Sequence, residues 1–272
     1  MSVSRVDLLQ PYYGAGVKIS GVAGGDCHAS YRVDCEDGRR FFMKTNTERY
    51  SDVLASEYFS LRKITEMLGD ATGLYPAVDR YIEEQGIICL VLEWRDLSAA
   101  QESNGAEIAS ALFGQHAIKA ERFGWEQSNF IGLTAQTNHW HSSWADFFIT
   151  QRLLPQAKQA KTNGLPVSLV KQVARACDHA YALLKNHEPT PSLLHGDLWT
   201  GNLAWDVVTA RPCLYDPAPY FGDPEVDIAM SRLFGQLPAS FYRRYGGISI
   251  STIERKNTQL ENDRASVQKR AQ

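Results

Sequence analysis

The chain has 272 residues, 44% hydrophobic and 22% charged, an ordinary globular composition that excludes disordered, collagen-like and coiled-coil architectures and allows one large domain or two small ones. Its 28 basic and 31 acidic residues leave a net charge of −3, so no global basic field argues for nucleic acid or an anionic membrane as a partner. No run approaches the ~20 apolar residues of a membrane span. Met1 to Gly16 lacks a signal-peptide pattern, and the five cysteines are scattered without a Cys-x-x-Cys pair, so a cytoplasmic protein with reduced thiols is expected.

In chain order, the first third alternates short β-type runs with turn signals. Val17 to Val22 predicts a strand, and Gly21, Gly24, Gly25 and Asp26 predict a turn after it. Ser30 to Cys35 predicts a second strand, Asp37-Gly38 a hairpin turn, and Arg40 to Thr45 a third strand. From Ser51 to about Leu68 the apolar residues recur at helical spacing, with Ser51 and Asp52 as cap candidates and Gly69 as a stop. Ala77 to Ile82 and Gly86 to Trp94 predict two more strands around a turn. After Trp94 the pattern becomes helical, over Ala99 to Ala120, Trp144 to Gln159 and Val167 to His187. A compact stretch over Leu193 to Trp205 and Cys213 to Tyr215 precedes a last helix over Pro224 to Phe234. The expected fold class is α+β and bilobal. Residues 1–94 form a small antiparallel-sheet lobe with one helix, residues 95–245 a larger, mainly helical lobe, and 246–272 an atypical polar tail.

The strongest chemical signal is Leu194-His195-Gly196-Asp197-Leu198-Trp199-Thr200-Gly201-Asn202, which fits the pattern H-x-D-x-x-x-x-N of phosphoryl-transfer loops. Such chemistry needs a carboxylate to orient and accept the proton of the attacking hydroxyl, the expected role of Asp197, and an oxygen ligand for magnesium, the expected role of Asn202. Nineteen residues beyond Asp197, an apolar run ends in Asp216, where a second magnesium-ligating carboxylate falls. Upstream, Lys44 closes the third strand and Glu57 follows thirteen residues later on the helix, the order needed for a phosphate-holding Lys and its positioning Glu. Gly24-Gly25-Asp26 between strands one and two can wrap phosphates through backbone N–H groups. Glu93, Trp94 and Arg95 end the sheet lobe where backbone groups would meet a nucleotide base.

The assembled string resembles the fructosamine kinase family (ketosamine-3-kinases), a branch of the aminoglycoside-phosphotransferase-like kinases with a protein-kinase-like fold. The resemblance is carried by Gly24-Gly25-Asp26, Phe42-Met43-Lys44, Leu92-Glu93-Trp94, Asn129-Phe130-Ile131-Gly132, Asn138-His139-Trp140 with Trp144-Ala145-Asp146-Phe147-Phe148, Leu194 to Asn202, and Tyr215-Asp216-Pro217-Ala218 with Gly222 to Met230. It implies ATP-dependent, magnesium-assisted phosphorylation of a sugar hydroxyl, typically O3 of a ketosamine on an amine or protein lysine, with deglycation as the outcome. It also implies that Asp227 braces the catalytic loop from the next helix. Trp199 reads either as a platform for the sugar or as a core anchor, and His195 as a structural histidine. His139 and His141 lack a third ligand at metal spacing and read as structural or pocket residues. Cys27 lies in the phosphate-binding turn near Lys44, where a lowered pKa makes a thiol redox-sensitive.

The last residues do not share this pattern. After Tyr245 no aromatic residue follows, and Ile248, Ile250, Ile253, Leu260 and Val267 are too sparse for a strong amphipathic helix. A mobile tail, an exposed apolar patch on the helical lobe, and a monomer or weak homodimer are therefore expected. The competing readings are a kinase of another aminoglycoside-like or sugar-amine acceptor, and an inactive kinase-like scaffold.

Overall fold

The computed structural model describes residues 4–23, 27–69 and 72–247. The expectations for Gly24, Gly25, Asp26 and the tail beyond Gly247 lie outside them. The chain opens with a helix, α1 (Arg5–Tyr13), whose Ser4 and Asp7 form a reciprocal capping box. The sequence reading passes over this element because Pro11 interrupts its pattern. The helix holds by burying Leu8, Leu9 and Tyr13 against the sheet.

Strands β1 (Lys18–Gly21), β2 (Ala29–Asp34) and β3 (Arg40–Thr47) precede helix α2 (Ser51–Leu68), and β4 (Val78–Glu84) and β5 (Ile87–Glu93) follow it. They form one antiparallel sheet in the order β1-β2-β3-β5-β4. Strand alternation gives the sheet two apolar faces. Val33, Phe41, Met43, Cys89 and Val91 pack under α1, whereas Ile88, Leu90 and Leu92 meet Leu54, Leu61 and Ile64 of α2. Covered on both faces, β5 reads as a continuous apolar run.

The second lobe begins with β6 (Leu97–Ser98) and α3 (Gly105–His116). This helix is shorter than the expected 99–120 because tertiary pairing overrides propensity at both ends. Leu97 and Ser98 pair with Asp206 and Trp205, and Ile118 and Ala120 hydrogen-bond to Leu193 and Pro191. A hairpin of β7 (Asn129–Ile131) and β8 (Thr134–Gln136) follows, then one helical run: α4 (Trp144–Phe147), a π segment (Phe148–Leu153) and α5 (Leu154–Thr162). Pro155 has no N–H to offer the Gln151 carbonyl, so the ladder widens there, and the Arg152 guanidinium takes that carbonyl at 2.9 Å.

Helix α6 (Val167–Leu184) leads to β9 (Ser192–Leu193), β10 (Leu203–Asp206), β11 (Arg211–Leu214), β12 (Phe221–Gly222) and α7 (Glu225–Met230). The last helix stops short of the expected Phe234. Ser231 turns back on Ile228 and is held by Tyr242, which leaves Leu233 and Phe234 exposed. Residues 239–247 are helical. The architecture is the expected bilobal α+β fold, with α1 as a second helix on the sheet lobe. Among the described residues no helix is long and apolar enough to cross a membrane.

Candidate active site

The loop carrying Asp197 is built on buried leucines: Leu193, Leu194 and Leu198 are inaccessible to solvent. Gly196 must be glycine, because its φ is +84° and a Cβ there would lie 1.9 Å from the Ala218 carbonyl oxygen. Asp227, fully buried at the start of α7, accepts hydrogen bonds from the backbone N–H of His195 (2.8 Å) and of Gly196 (2.9 Å). His195 donates from Nε2 to the Tyr215 carbonyl (3.0 Å) and accepts at Nδ1 from the Asp197 N–H (3.2 Å). That pattern requires the neutral imidazole, and burial pushes its pKa down in agreement.

Asn202 closes the loop from the other end. Its Nδ2 donates to the Asp197 carbonyl (2.9 Å) and to Asp197 Oδ2 (3.0 Å), and Oδ1 of both residues has no hydrogen-bond partner among the described residues. Burial pushes the Asp197 carboxyl up to about 6, opposed by the Asn202 hydrogen bond and reinforced by the charges of Asp216 and Asp227. A carboxylate poised near neutral pH, with one oxygen held and the other open, suits a proton acceptor.

Across the cleft, Lys44 reaches from β3 to Glu57 on α2 (2.7 Å) and to Asp216. Its side chain is 9% exposed; burial works against the ammonium, and the two carboxylates outweigh it and hold it charged. Asp216 sits at φ +55°, a backbone conformation that costs about 1 kcal/mol or more outside glycine and that marks over-determined functional positions. Its second oxygen has no hydrogen-bond partner among the described residues. An amide oxygen on Asn202 and a carboxylate oxygen on Asp216 form the hard-oxygen donor set that suits Mg²⁺, so the residues present fit that ion.

At the junction of the lobes, the side chains of Glu93 and Arg95 are tied to the fold. Arg95 bridges Glu93 (2.8 Å) and the buried Asp206 of β10 (2.9 Å), and Trp94 Nε1 donates to Asp96. Their backbone groups are what this edge offers a nucleotide. Trp199 lies over Gly201, where a Cβ would meet the ring at 2.2 Å, and edge-on to the exposed Phe234 at 6.0 Å. His141 is engaged by Thr150 and Gln151, and Asp223 by His187 at 2.6 Å. Cys27 is half-buried. The tip of the β7–β8 hairpin approaches it, since a Cβ on Gly132 would lie 3.6 Å from its Sγ.

Several further contributors have no role assigned from the sequence, although Asn129 and Asn138 stand in the motifs that carry the resemblance. His116, at the end of α3, contacts Asp227 through Nε2 (2.9 Å) and the Tyr245 hydroxyl through Nδ1 (2.6 Å). Arg152 binds Asn138 Oδ1 at 2.6 Å, Asn138 donates to Asn129, and Asn129 donates to the Pro219 carbonyl. This chain connects the π segment to the Pro219 carbonyl, three residues beyond Asp216. The His116–Asp227 and Asn129–Pro219 partners are 111 and 90 residues apart, beyond any local pattern.

The family described as fructosamine kinase matches residues 7–259. The "probable ketoamine kinase" of Synechocystis sp. is 36% identical over 234 residues, covering 84% of this chain and 75% of that protein. A crystal structure from Haemophilus somnus 129PT, assigned as a fructosamine-3-kinase, superposes with a TM-score of 0.78 at 28% identity, covering 91% of this chain and 81% of that one. The aminoglycoside phosphotransferase in ternary complex with AMP-PNP and hygromycin B shares the fold at 15% identity, with a TM-score of 0.57 over 81% of this chain and 73% of that one.

Proposed function

Because the chain belongs to the fructosamine kinase family, and is therefore a sugar-amine kinase, we propose that it transfers the γ-phosphoryl group of ATP to the O3 hydroxyl of a ketosamine such as ribulosamine or fructosamine. The observation that carries the reading is the meeting of Asp197, Asn202, Asp216 and Lys44 on one cleft, three on the second lobe and one reaching across from the sheet.

In this reading Lys44, positioned by Glu57, neutralises the nucleotide phosphates. Asn202 Oδ1 and Asp216 would hold Mg²⁺, which would supply charge stabilisation for the transferring phosphoryl group. Asp197 orients the acceptor hydroxyl and takes its proton as the new O–P bond forms and the bond to ADP breaks; the proton then passes to solvent. His195 and Asp227 hold the loop in place for that step. Backbone groups from Glu93 to Arg95 and the Gly24-Gly25-Asp26 turn bind the nucleotide ends, and Trp199 stacks on the sugar. The acceptor is a free or protein-bound ketosamine, whose 3-phosphate decomposes and frees the amine, so the outcome is deglycation in the cytoplasm. Oxidation of Cys27 would obstruct the phosphate-binding turn, which equal oxidant sensitivity of wild type and Cys27→Ser would contradict.

The test is ATP consumption with a panel of ribulose-, erythrulose- and fructose-amines, with Asp197→Asn as control. Turnover on at least one of them, abolished by the substitution, supports the reading. ATP binding without turnover on any favours an inactive scaffold.

A further inference from the structure

Beside Lys44 stands a titratable side chain that the catalytic arrangement above does not use. In the β2–β3 ladder Ala29 faces Thr45 and Ser30 faces Lys44, so the register carried one step further sets His28 opposite Asn46. Alternation then puts His28, Ser30, Lys44 and Asn46 on the cleft face of the sheet, whereas Met43 and Thr45 point to the α1 side. His28 is a diagonal cross-strand neighbour of Lys44, a relation that spans about 7–8 Å between backbones and is within reach of long side chains.

The orientation of the ring is fixed. Asn46 Oδ1 accepts from the Thr47 N–H (2.8 Å), which assigns its Nδ2 as the donor to the Cys27 carbonyl (2.9 Å) and to His28 Nδ1 (3.0 Å). An imidazole that accepts at Nδ1 carries its proton at Nε2, on the far edge of the ring from Asn46. Burial, aided by the Lys44 charge, pulls the His28 pKa down, with Asp216 opposing, so the ring is neutral. Among the described residues, Nε2 has no hydrogen-bond partner. The same asparagine therefore holds the Cys27 carbonyl and orients the His28 ring so that it presents one N–H.

We propose that His28 is a further phosphate-contacting residue: its Nε2–H, held in place by Asn46, donates to the polyphosphate of the nucleoside triphosphate beside the Lys44 ammonium. The proposal rests on the kinase reading above and adds to it a side-chain contact from the β1–β2 turn. A neutral donor adds a directional hydrogen bond without adding a second cation to a cluster that already holds one.

The experiment is equilibrium binding of ATP, ADP and adenosine, in the presence of Mg²⁺, to the full chain as wild type and as His28→Ala, His28→Gln and His28→Asn. Losing one donor to a charged acceptor weakens binding about tenfold or more. His28→Ala is expected to lose that factor for ATP and to leave adenosine unchanged. His28→Gln, whose amide nitrogen reaches the Nε2 position, restores it; His28→Asn, whose amide reaches only the Nδ1 position, does not. Equal ATP affinity in wild type and His28→Ala overturns the proposal. So does a parallel loss of ATP and adenosine, which would mark the ring as a structural part of the turn. Wild type that binds no ATP would instead overturn the kinase reading itself.

Discussion

At the scale of single residues, the site is set by charges held against burial. In the role proposed for it Asp197 must be ionised to accept a proton, and burial pushes it up to about 6, so the rate should fall about tenfold per pH unit below that value, read from kcat between pH 4.5 and 8. The same shift has a stability consequence. A carboxyl whose folded pKa lies above its unfolded one costs stability in full above the folded value, about 6, a cost that fades as pH falls from there and is gone below about 4. Asp197→Asn should therefore melt above wild type at pH 8 and level with it near pH 4, while losing turnover. Lys44→Met leaves Glu57 and Asp216 without their shared cation; a loss of about 3–5 kcal/mol in urea unfolding is expected. That Asp197 meets Asn202 and that Lys44 meets Glu57 and Asp216 was legible in the sequence, because the chemistry proposed for them fixes residue type and order along the chain. His28, His116 and Arg152 were not, because their roles depend on neighbours that only folding supplies.

At the scale of elements, the loop around Asp197 owes its shape to its surroundings. Asp227 seals two loop N–H groups and Gly196 clears the Ala218 carbonyl. Gly196→Ala should displace the loop, abolish turnover and cost about 3 kcal/mol or more, whereas Gly114→Ala, in α3 with open space around it, should be neutral or mildly stabilising. Urea titration and steady-state kinetics on the two variants check this pair. The elements themselves divide along the same line. α2 was readable to the residue because Leu54, Leu61 and Ile64 keep helical spacing up to Gly69. β7 and β8 were missed because three-residue strands held by Asn129, Gln136 and Asn138 show no alternation that survives without the partner. The true end of α7 was hidden because Tyr242, eleven residues on, decides where Ser231 turns.

At the scale of the molecule, the helical lobe leaves apolar surface uncovered. Leu169, Tyr181 and Leu183 of α6 are 41%, 43% and 68% exposed, and Leu233 and Phe234 are more than half exposed. Patches of this kind promote association. Sedimentation velocity across a concentration series should show weak self-association, reduced in a Leu169→Glu/Leu183→Lys double variant. The two lobes are fastened together by the Lys44–Asp216 pair, by Arg95, which bridges Glu93 to the buried Asp206, and by Lys63 with Glu126. The first of these joins positions 172 residues apart. On a ribosome adding about 5–20 residues per second, roughly 6–25 s pass between completion of β5 and synthesis of Asp216. Until then the sheet lobe can offer Lys44 only the Glu57 carboxylate, a pair with no net charge. The negative charge that draws Lys44 across the cleft arrives only when the second lobe is nearly made.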